Sequence, residues 1–309
     1  MSMKISIMIE GQNGLNWTNW KKIIDTVENY GFYGLYRSDH FTSANPPDKD
    51  SLELWTSLTY LATMTNRIKF GSLVSPISFR NPTLTARMAA AVDDLSTGRL
   101  KLGLGAGWQD REHKNFGFDL LDFKERFLRF EEGLLIISNL FRSNAPITFN
   151  GKFFHLKDAI LLPRPNRKEG PEILIGGNGE KYTFPLVVKF AREWNAIFLT
   201  PAKFREKNKA VDELLVTKGR EPAEIRRSLM TNLTYGQNQE QLQKKLNGRD
   251  PKEMAQRGII VGLADKVTDK LHEYQNTGLD EIMLQWIDLE DMDSLIHFSE
   301  TVLPKFNGG

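Results

Sequence analysis

The chain has 309 residues, of which 40% are hydrophobic and 26% charged, with a formal net charge of +2. A compact chain of this length buries roughly 75% of the surface that its unfolded form exposes, so we expect a sizeable core in one large domain or two small ones. The near-neutral charge argues against nucleic acid or an anionic membrane as a main partner, and the absence of cysteine excludes disulfides, thiolate catalysis and cysteine-ligated metal sites.

Strand-like and helix-like segments alternate along the first hundred residues. Helical periodicity at 17–30 places Trp20, Ile23, Ile24 and Val27 on one face. A proline begins the helical segment at 82–95, which is the position where a helix accepts it best. The predicted strands of this part are 4–9, 32–36, 68–74 and a fourth that begins at residue 100, and the predicted helices are 17–30, 52–65 and 82–95.

The fourth strand is the most informative segment of the chain. Residues 99–108 read Arg-Leu-Lys-Leu-Gly-Leu-Gly-Ala-Gly-Trp, with leucines on one face and Gly103, Gly105 and Gly107 at alternate positions. Because glycine has no side chain, a flat group or the backbone of another segment can approach closely there, which indicates a cofactor site. The spacing differs from the Gly-x-Gly-x-x-Gly fingerprint of dinucleotide-binding folds, and no acidic strand end follows about 20 residues later, so we expect no NAD site.

The alternation pauses after this strand and then resumes. We expect the main insertion at about 109–170, with an amphipathic helix at 123–141 and a β-hairpin at 147–162. The later predicted strands are 172–176, 194–199, 228–235 and 281–287, and the later predicted helices are 182–191, 202–215, 266–278 and 292–303. Eight strands, each followed by helical sequence, predict an α/β fold, a (β/α)8 TIM barrel that forms a single domain over 1–309. An open doubly wound sheet is the alternative.

The carboxyl ends of the strands carry the chemistry in barrels of this kind. The segments predicted there are 38–41, 72–75, 105–108 with Glu112 and His113 close behind, and 176–179. The last of these, Gly-Gly-Asn-Gly, precedes a predicted helix that opens with Glu180 and Lys181. The free N–H groups and the dipole of a helix start favour a phosphate, although a plain tight turn has the same spacing.

His40 is the candidate acid or base, because the neighbouring Asp39 can tune the pKa and orientation of its imidazole. A hydrogen-bonded loop histidine is the simpler interpretation. The other histidines, at 113, 155, 272 and 297, lack metal-ligand spacing, so we expect no metal. The apolar run at 5–9 is too short for a signal sequence and no window approaches the ~20 apolar residues of a membrane span, so we expect a cytoplasmic protein.

The order and spacing of these motifs resemble the luciferase-like flavin and deazaflavin oxidoreductase superfamily, in its coenzyme F420-dependent branch. The resemblance covers essentially the whole chain. It rests on Ser38-Asp-His-Phe41, Val74-Ser-Pro, Phe79-Arg-Asn-Pro82, Leu95-Ser-Thr-Gly-Arg99, Leu102-Gly-Leu-Gly-Ala-Gly-Trp108, Arg111-Glu-His113, Pro163-Arg-Pro165 and Ile173-Leu-Ile-Gly-Gly177.

The resemblance implies an oxidoreductase that transfers a hydride between coenzyme F420 and a small organic substrate, with the ring in the barrel mouth. An FMN-dependent monooxygenase that uses O2 and a non-catalytic flavin- or deazaflavin-binding barrel are the alternatives. The resemblance also implies that His40 and Asp39 are catalytic, and that the Ser72–Leu73 peptide bond is a non-proline cis bond behind the ring. The cofactor contacts implied by the resemblance are Ser72, Leu73, Val74, Gly105, Ala106, Gly107 and Trp108 around the ring, and Gly176, Gly177, Asn178 and Gly179 at the phosphate.

Two positions depart from the sugar-phosphate dehydrogenase members of the family. Those members carry a tryptophan and a glutamate where this chain has Ala44 and Trp108. The departures argue against glucose-6-phosphate as the substrate and remove one acid from the expected site. By analogy with the family, we also expect a homodimer.

Overall fold

Eight parallel strands close into a barrel in the computed structural model, which describes residues 3–306. In chain order they are β1 (Lys4–Ile9), β2 (Gly34–Arg37), β3 (Lys69–Ser72), β4 (Leu100–Gly105), β5 (Glu172–Gly176), β6 (Glu193–Ile197), β7 (Arg226–Tyr235) and β8 (Glu281–Gln285). Each strand pairs in parallel with the next, and β8 closes the ring onto β1, where Ile5 lies opposite Ile282. The predicted (β/α)8 TIM barrel is therefore confirmed.

Helices pack on the outside of the barrel, and local sequence sets where they begin. Asn81 caps the helix that begins at Pro82, and Thr200 caps the helix that begins at Pro201, so a proline stands in the first turn of each. Within the described chain the helices are α1 (Trp17–Asn29), α2 (Leu54–Met64), α3 (Pro82–Leu95), α4 (Asp110–Phe116), α5 (Phe123–Arg142), α6 (Thr183–Phe190), α7 (Pro201–Thr217), α8 (Gln239–Leu246), α9 (Pro251–Gln256), α10 (Ala264–Gln275) and α11 (Met292–Thr301).

The barrel interior is filled by two different layers of side chains. Near the amino ends of the strands, Nζ of Lys101 lies 2.6 Å from a carboxylate oxygen of both Glu193 and Glu281. Closer to the carboxyl ends lies an apolar cluster of Met8, Tyr36, Leu73, Leu174, Met230 and Met283. Leu73 and Met230 form part of the floor of the cavity described below, so this apolar layer separates the cavity from the buried charges.

The segment between β4 and β5 contains α4, α5 and an antiparallel hairpin of Ile147–Asn150 with His155–Ala159. Further along, the polar region after β7 forms α8 and α9, and the short strand Ile260–Gly262 pairs with the end of β7. Of the helices within residues 3–306, none combines the length and the apolar composition that crossing a membrane requires.

The predicted strand 68–74 is shorter in the structure. β3 ends at Ser72, and Ser75–Pro76 pairs separately with β4 after an interruption at Leu73 and Val74. Among the described residues, the non-proline cis peptide bond joins Leu73 to Val74, so the predicted cis bond at Ser72–Leu73 is wrong by one residue. The N–H of Leu73 still donates to the carbonyl of Arg37 at 2.8 Å, so the chain departs from β2 only after Leu73.

Candidate active site

A cavity of about 470 Å³ lies at the carboxyl ends of the strands, where side chains from α5 close one side of the barrel mouth. Its lining is mostly apolar. The predicted site residues that line it are His40, Leu73, Val74, Gly105, Ala106, Gly107, Trp108, Gly176 and Gly177, and those outside the lining are Asp39, Ser72, Asn178 and Gly179. Ser38, from the predicted strand-end segment 38–41, also lines the cavity. The lining residues outside every predicted site segment are Glu10, Pro76, Phe123, Arg126, Phe127, Thr183, Asn195, Ile197, Phe198 and Met230.

His40 lies at the edge of the cavity, with one ring nitrogen held by a buried carboxylate. Its Nδ1 is 2.8 Å from Oε1 of Glu112, and Oε2 of Glu112 accepts the backbone N–H of Phe41 at 3.1 Å. Burial lowers the pKa of His40. The hydrogen bond and the charge of Glu112 raise this pKa by more than burial lowers it, so the pKa lies above its ordinary value. The second nitrogen, Nε2, forms no hydrogen bond with any described residue and is free to meet a ligand.

Asp39 forms no hydrogen bond with His40 among the described residues, and its charge is only one of the smaller causes that raise the pKa of His40. The carboxylate of Asp39 accepts hydrogen bonds from Ser75 at 2.6 Å and from the guanidinium of Arg80, which also binds Glu53. Burial raises the pKa of Asp39 above its ordinary value, although the charge and hydrogen bond of Arg80 oppose the shift. The two side chains diverge because successive residues of an extended segment point in opposite directions.

The glycines of β4 make room for the neighbouring segment of the protein itself. A Cβ at Gly103 would overlap the carbonyl oxygen of Ser72, and a Cβ at Gly105 would lie 2.7 Å from Cγ2 of Val74. Across the cavity, a Cβ at Gly176 would lie 3.2 Å from Cγ1 of the same valine. The contact of a flat ring with these glycines stays a prediction. Of the two explanations for their spacing, the close approach of another backbone accounts for Gly103, and the side chain of Val74 accounts for Gly105.

The Gly-Gly-Asn-Gly turn connects β5 to α6, which begins at Thr183, one residue after the start of the predicted helix 182–191. Glu180 and Lys181, which we expected to open the helix, lie in the turn before it. The side chain of Asn178 donates to the carbonyl of Ile197 at 2.7 Å and accepts its N–H at 3.0 Å, so this amide fastens the turn to β6. The backbone N–H groups of residues 178–182 donate to no atom of the described chain. The turn therefore offers backbone donors, and the Asn178 side chain is already engaged.

Arg126 brings a cation into the cavity from the first turn of α5. One terminal nitrogen donates to the carbonyl of Gly107 at 2.9 Å, while the buried Nε has no partner in the described structure. A buried N–H without an acceptor is costly, and an anion in the cavity would satisfy it. Beside it, Phe123, Phe127 and Tyr182 form an aromatic cluster with ring centroids 5.0–5.3 Å apart.

A polar network borders the opposite side of the mouth. Glu10 accepts hydrogen bonds from Gln12 at 2.8 Å and from Gln285, while Ser38 donates to Gln12 at 2.8 Å and accepts the N–H of Gly11. These contacts hold an acidic side chain at the cavity wall. The cavity thus combines an apolar floor, a histidine with a free nitrogen, one cation and one carboxylate.

Sequence reasoning missed the roles of Glu112 and Arg126. Glu112 belongs to the quoted motif Arg111-Glu-His113, but its partner lies 72 residues earlier in the chain, and the spacing alone does not reveal that contact. His113 of the same motif is buried, and its Nε2 lies 2.8 Å from the hydroxyl of Ser78, away from His40. Arg126 lies in a helix that periodicity assigns to packing, and no local signal identifies it as a cavity residue.

Comparison with known proteins places the chain among enzymes with this barrel. A protein of Amycolatopsis mediterranei (strain U-32) named F420-dependent glucose-6-phosphate dehydrogenase is 27% identical over 314 residues, covering 90% of this chain and 91% of that protein. A phthiodiolone/phenolphthiodiolone dimycocerosates ketoreductase of Mycobacterium tuberculosis (strain ATCC 25618 / H37Rv) is 29% identical over 198 residues, covering 63% of this chain and half of that protein.

Solved structures show the same fold. An F420-dependent secondary alcohol dehydrogenase, in complex with an F420-acetone adduct, superposes with a TM-score of 0.86 at 17% identity over 99% of both chains. The monooxygenase RslO1 from Streptomyces bottropensis superposes with a TM-score of 0.83 at 18% identity, over 98% of this chain and 99% of that one.

The family model described as luciferase-like monooxygenase matches residues 3–250, which is most of the chain. This match agrees with the superfamily to which the motifs point. The chain is therefore an enzyme of the luciferase-like monooxygenase family.

Proposed function

We propose that the protein transfers a hydride between coenzyme F420 and a small organic substrate, and that His40 exchanges the accompanying proton. The observation that carries the proposal is the His40–Glu112 pair, which leaves Nε2 free at the wall of an apolar cavity. The relative from Amycolatopsis mediterranei and the alcohol dehydrogenase structure are both named as F420-dependent, which supports the choice of cofactor.

The residues at the mouth fit a cofactor with a flat ring and a phosphate. Leu73 and Val74 on one wall, with Gly105 to Trp108 on another, leave an apolar space for a ring. The free N–H groups of residues 178–182 and the unpartnered Nε of Arg126 offer donors to an anion near the start of α6. Ser72 lies behind the wall and bonds to the carbonyl of Gly103 at 2.7 Å, so we assign it a supporting position rather than a contact.

The chemistry then divides between the cofactor and this chain's own residues. When bound, coenzyme F420 supplies a ring carbon that takes up or releases a hydride. His40 gives a proton from Nε2 to the substrate when the substrate is reduced and takes it back when the substrate is oxidised. Glu112 orients the imidazole of His40 through Nδ1 and stabilises its protonated form. The pKa of His40 is therefore raised although the side chain is buried.

Asp39 has a different role in this proposal from the one that the motif implies. Its bonds to Ser75 and Arg80 fasten the segment after β2 to the segment after β3. It acts as a positioning residue beneath His40, and Glu112 takes over the place of the partner carboxylate.

Titration of the purified protein with coenzyme F420 and with FMN tests the cofactor assignment. We expect the fluorescence of F420 to change on binding at concentrations where FMN remains unbound. Tight FMN binding without F420 binding would overturn the assignment and favour an O2-using monooxygenase. Tight binding of either cofactor without turnover of any substrate would favour a barrel that binds the cofactor without catalysis.

A further inference from the structure

A second groove of about 340 Å³ lies between α5 and α6, beside the cavity of the proposed active site. Phe127 lines both the cavity and the groove, and its ring packs on that of Tyr182, with centroids 5.3 Å apart. The two spaces therefore share one aromatic wall. The groove is lined by Lys124, Phe127, Leu128, Glu131, Lys181, Tyr182, Pro185, Leu186 and Lys189.

The groove carries an excess of positive charge. Lys189 pairs with Glu131 at 2.8 Å, which neutralises both side chains. Lys124 and Lys181 have no carboxylate partner anywhere in the part of the chain that the structure describes, and the ammonium of Lys181 lies over the ring of Tyr182. Two ammonium groups without a carboxylate partner thus line the groove beside this neutralised pair.

The groove also lies next to the turn to which we assign the phosphate. Lys181 and Tyr182 lie in the same turn as Gly176–Asn178, just before α6. A chain that continues beyond a phosphate held at this turn would pass along the groove wall. Coenzyme F420 has such a continuation, because a lactyl group and γ-linked glutamates follow its phosphate, whereas FMN ends at the phosphate.

We propose that the groove between α5 and α6 binds the acidic glutamate tail of coenzyme F420, with Lys124 and Lys181 facing its carboxylates. The proposal rests on the proposed function, because it takes F420 as the cofactor. Charge complementarity and the aromatic wall that the groove shares with the cavity support this occupant over a neutral or cationic one. Exposed ion pairs are individually weak, and each of the two lysines is expected to change affinity by about 1.5- to 5-fold.

Binding titrations with two forms of the cofactor test the tail site. We would measure deazaflavin fluorescence with F420 that carries several glutamates and with the form that ends at the lactyl group. The double variant Lys124→Gln/Lys181→Gln is compared with Lys22→Gln/Lys218→Gln, which removes the same charge from exposed positions on α1 and after α7.

The wild type and the control variant should bind the long-tailed form about 2- to 20-fold more tightly at low salt, with the advantage shrinking as salt rises. The Lys124/Lys181 variant should bind both forms equally. Equal binding of both forms by the wild type, or an undiminished tail preference in the Lys124/Lys181 variant, would overturn the tail site while leaving the proposed function intact. Failure of both forms to bind the wild type would overturn the proposed function as well.

Discussion

Nδ1 of His40 lies 2.8 Å from Oε1 of Glu112, a residue that is 1% exposed. The two residues belong to segments that follow different strands of the barrel. His40 lies in the loop after β2, and Glu112 lies in α4, the helix after β4. Because the carboxylate of Glu112 binds Nδ1, Nε2 is the ring nitrogen that remains available to a ligand in the cavity. Under the proposed function, Nε2 is therefore the nitrogen that exchanges the proton.

Replacement of His40 by alanine tests whether the histidine does chemistry. We expect His40→Ala to lower kcat by roughly 10²–10⁴-fold, the usual contribution of a positioned general acid or base. The affinity for F420 should fall only modestly, because the ring has many other contacts in the cavity. Steady-state kinetics and a fluorescence titration measure the two effects, and near-normal turnover would remove His40 from the mechanism.

Glu112→Gln keeps the shape of the side chain but removes the charge that raises the pKa of His40. The pH at which His40 loses its proton should therefore move down in the variant. In the direction of substrate reduction, activity falls as pH rises through that pKa, so the falling limb of the kcat profile should shift to lower pH. An unchanged profile would show that Glu112 does not control the proton of His40.

The same pair contributes to folding stability with a definite sign. The pKa of His40 is raised on folding, so its contribution is complete below its unfolded value of about 6.5 and is lost as pH rises through the folded pKa. Glu112→Gln should cost about 1–3 kcal/mol of unfolding free energy at pH 5.5, and less at pH 9. Denaturant unfolding at both pH values measures the difference, and a cost that is larger at pH 9 would contradict this assignment.

Gly105 and Val74 form a steric pair that a double-mutant cycle can test. Gly105→Ala places a Cβ 2.7 Å from Cγ2 of Val74 and should destabilise the protein by about 1–3 kcal/mol through overpacking. Val74→Ala removes that methyl group, so the double variant should be more stable than the sum of the single changes predicts. Denaturant unfolding of the three variants provides the measurement, and strictly additive effects would refute the contact.

Arg126→Leu removes the unpartnered N–H group and the cation from the cavity. We expect affinity for F420 to fall by about 10- to 100-fold, since hydrogen bonds to a charged group contribute about 1.5–3 kcal/mol. Arg129→Leu is the matched control, because Arg129 lies on the same helix and also has a buried Nε without a partner, but does not line the cavity. Equal losses in the two variants would indicate damage to α5 instead of a lost contact with the anion.

The fold could be predicted from the sequence because each element has a local signal. The apolar strand runs, the proline of α3 and the glycine turns each identify one unit, and eight units with short connections favour a barrel. The glycines of β4 were also recognisable, and the close approach of another segment was one of the two reasons offered for them, but the pattern did not show which segment approaches. Gly103 faces the carbonyl of Ser72 and Gly105 faces Val74, and these contacts depend on where β3 ends.

The site was predictable only in outline. His40 and the walls of the cavity follow from the rule that strand ends carry the chemistry. The role of Glu112 as the partner of His40 does not follow from that rule. Tertiary structure alone brings this buried acid, 72 residues away in the chain, to the histidine. Asp39 is adjacent to His40 in the sequence, which made it the expected partner. Successive side chains of an extended segment point in opposite directions, however, and Asp39 binds Arg80 instead.

The central claim is hydride transfer with F420 in which His40 exchanges the proton, and an anaerobic single-turnover experiment tests it most directly. Reduced F420 is mixed with the enzyme and a panel of small carbonyl compounds, and the visible absorbance of oxidised F420 is followed over time. We expect the absorbance to return without O2 for at least one compound in the wild type, and to return at least 100-fold more slowly in His40→Ala. Oxidation that requires O2, or that proceeds equally fast without His40, would contradict the account.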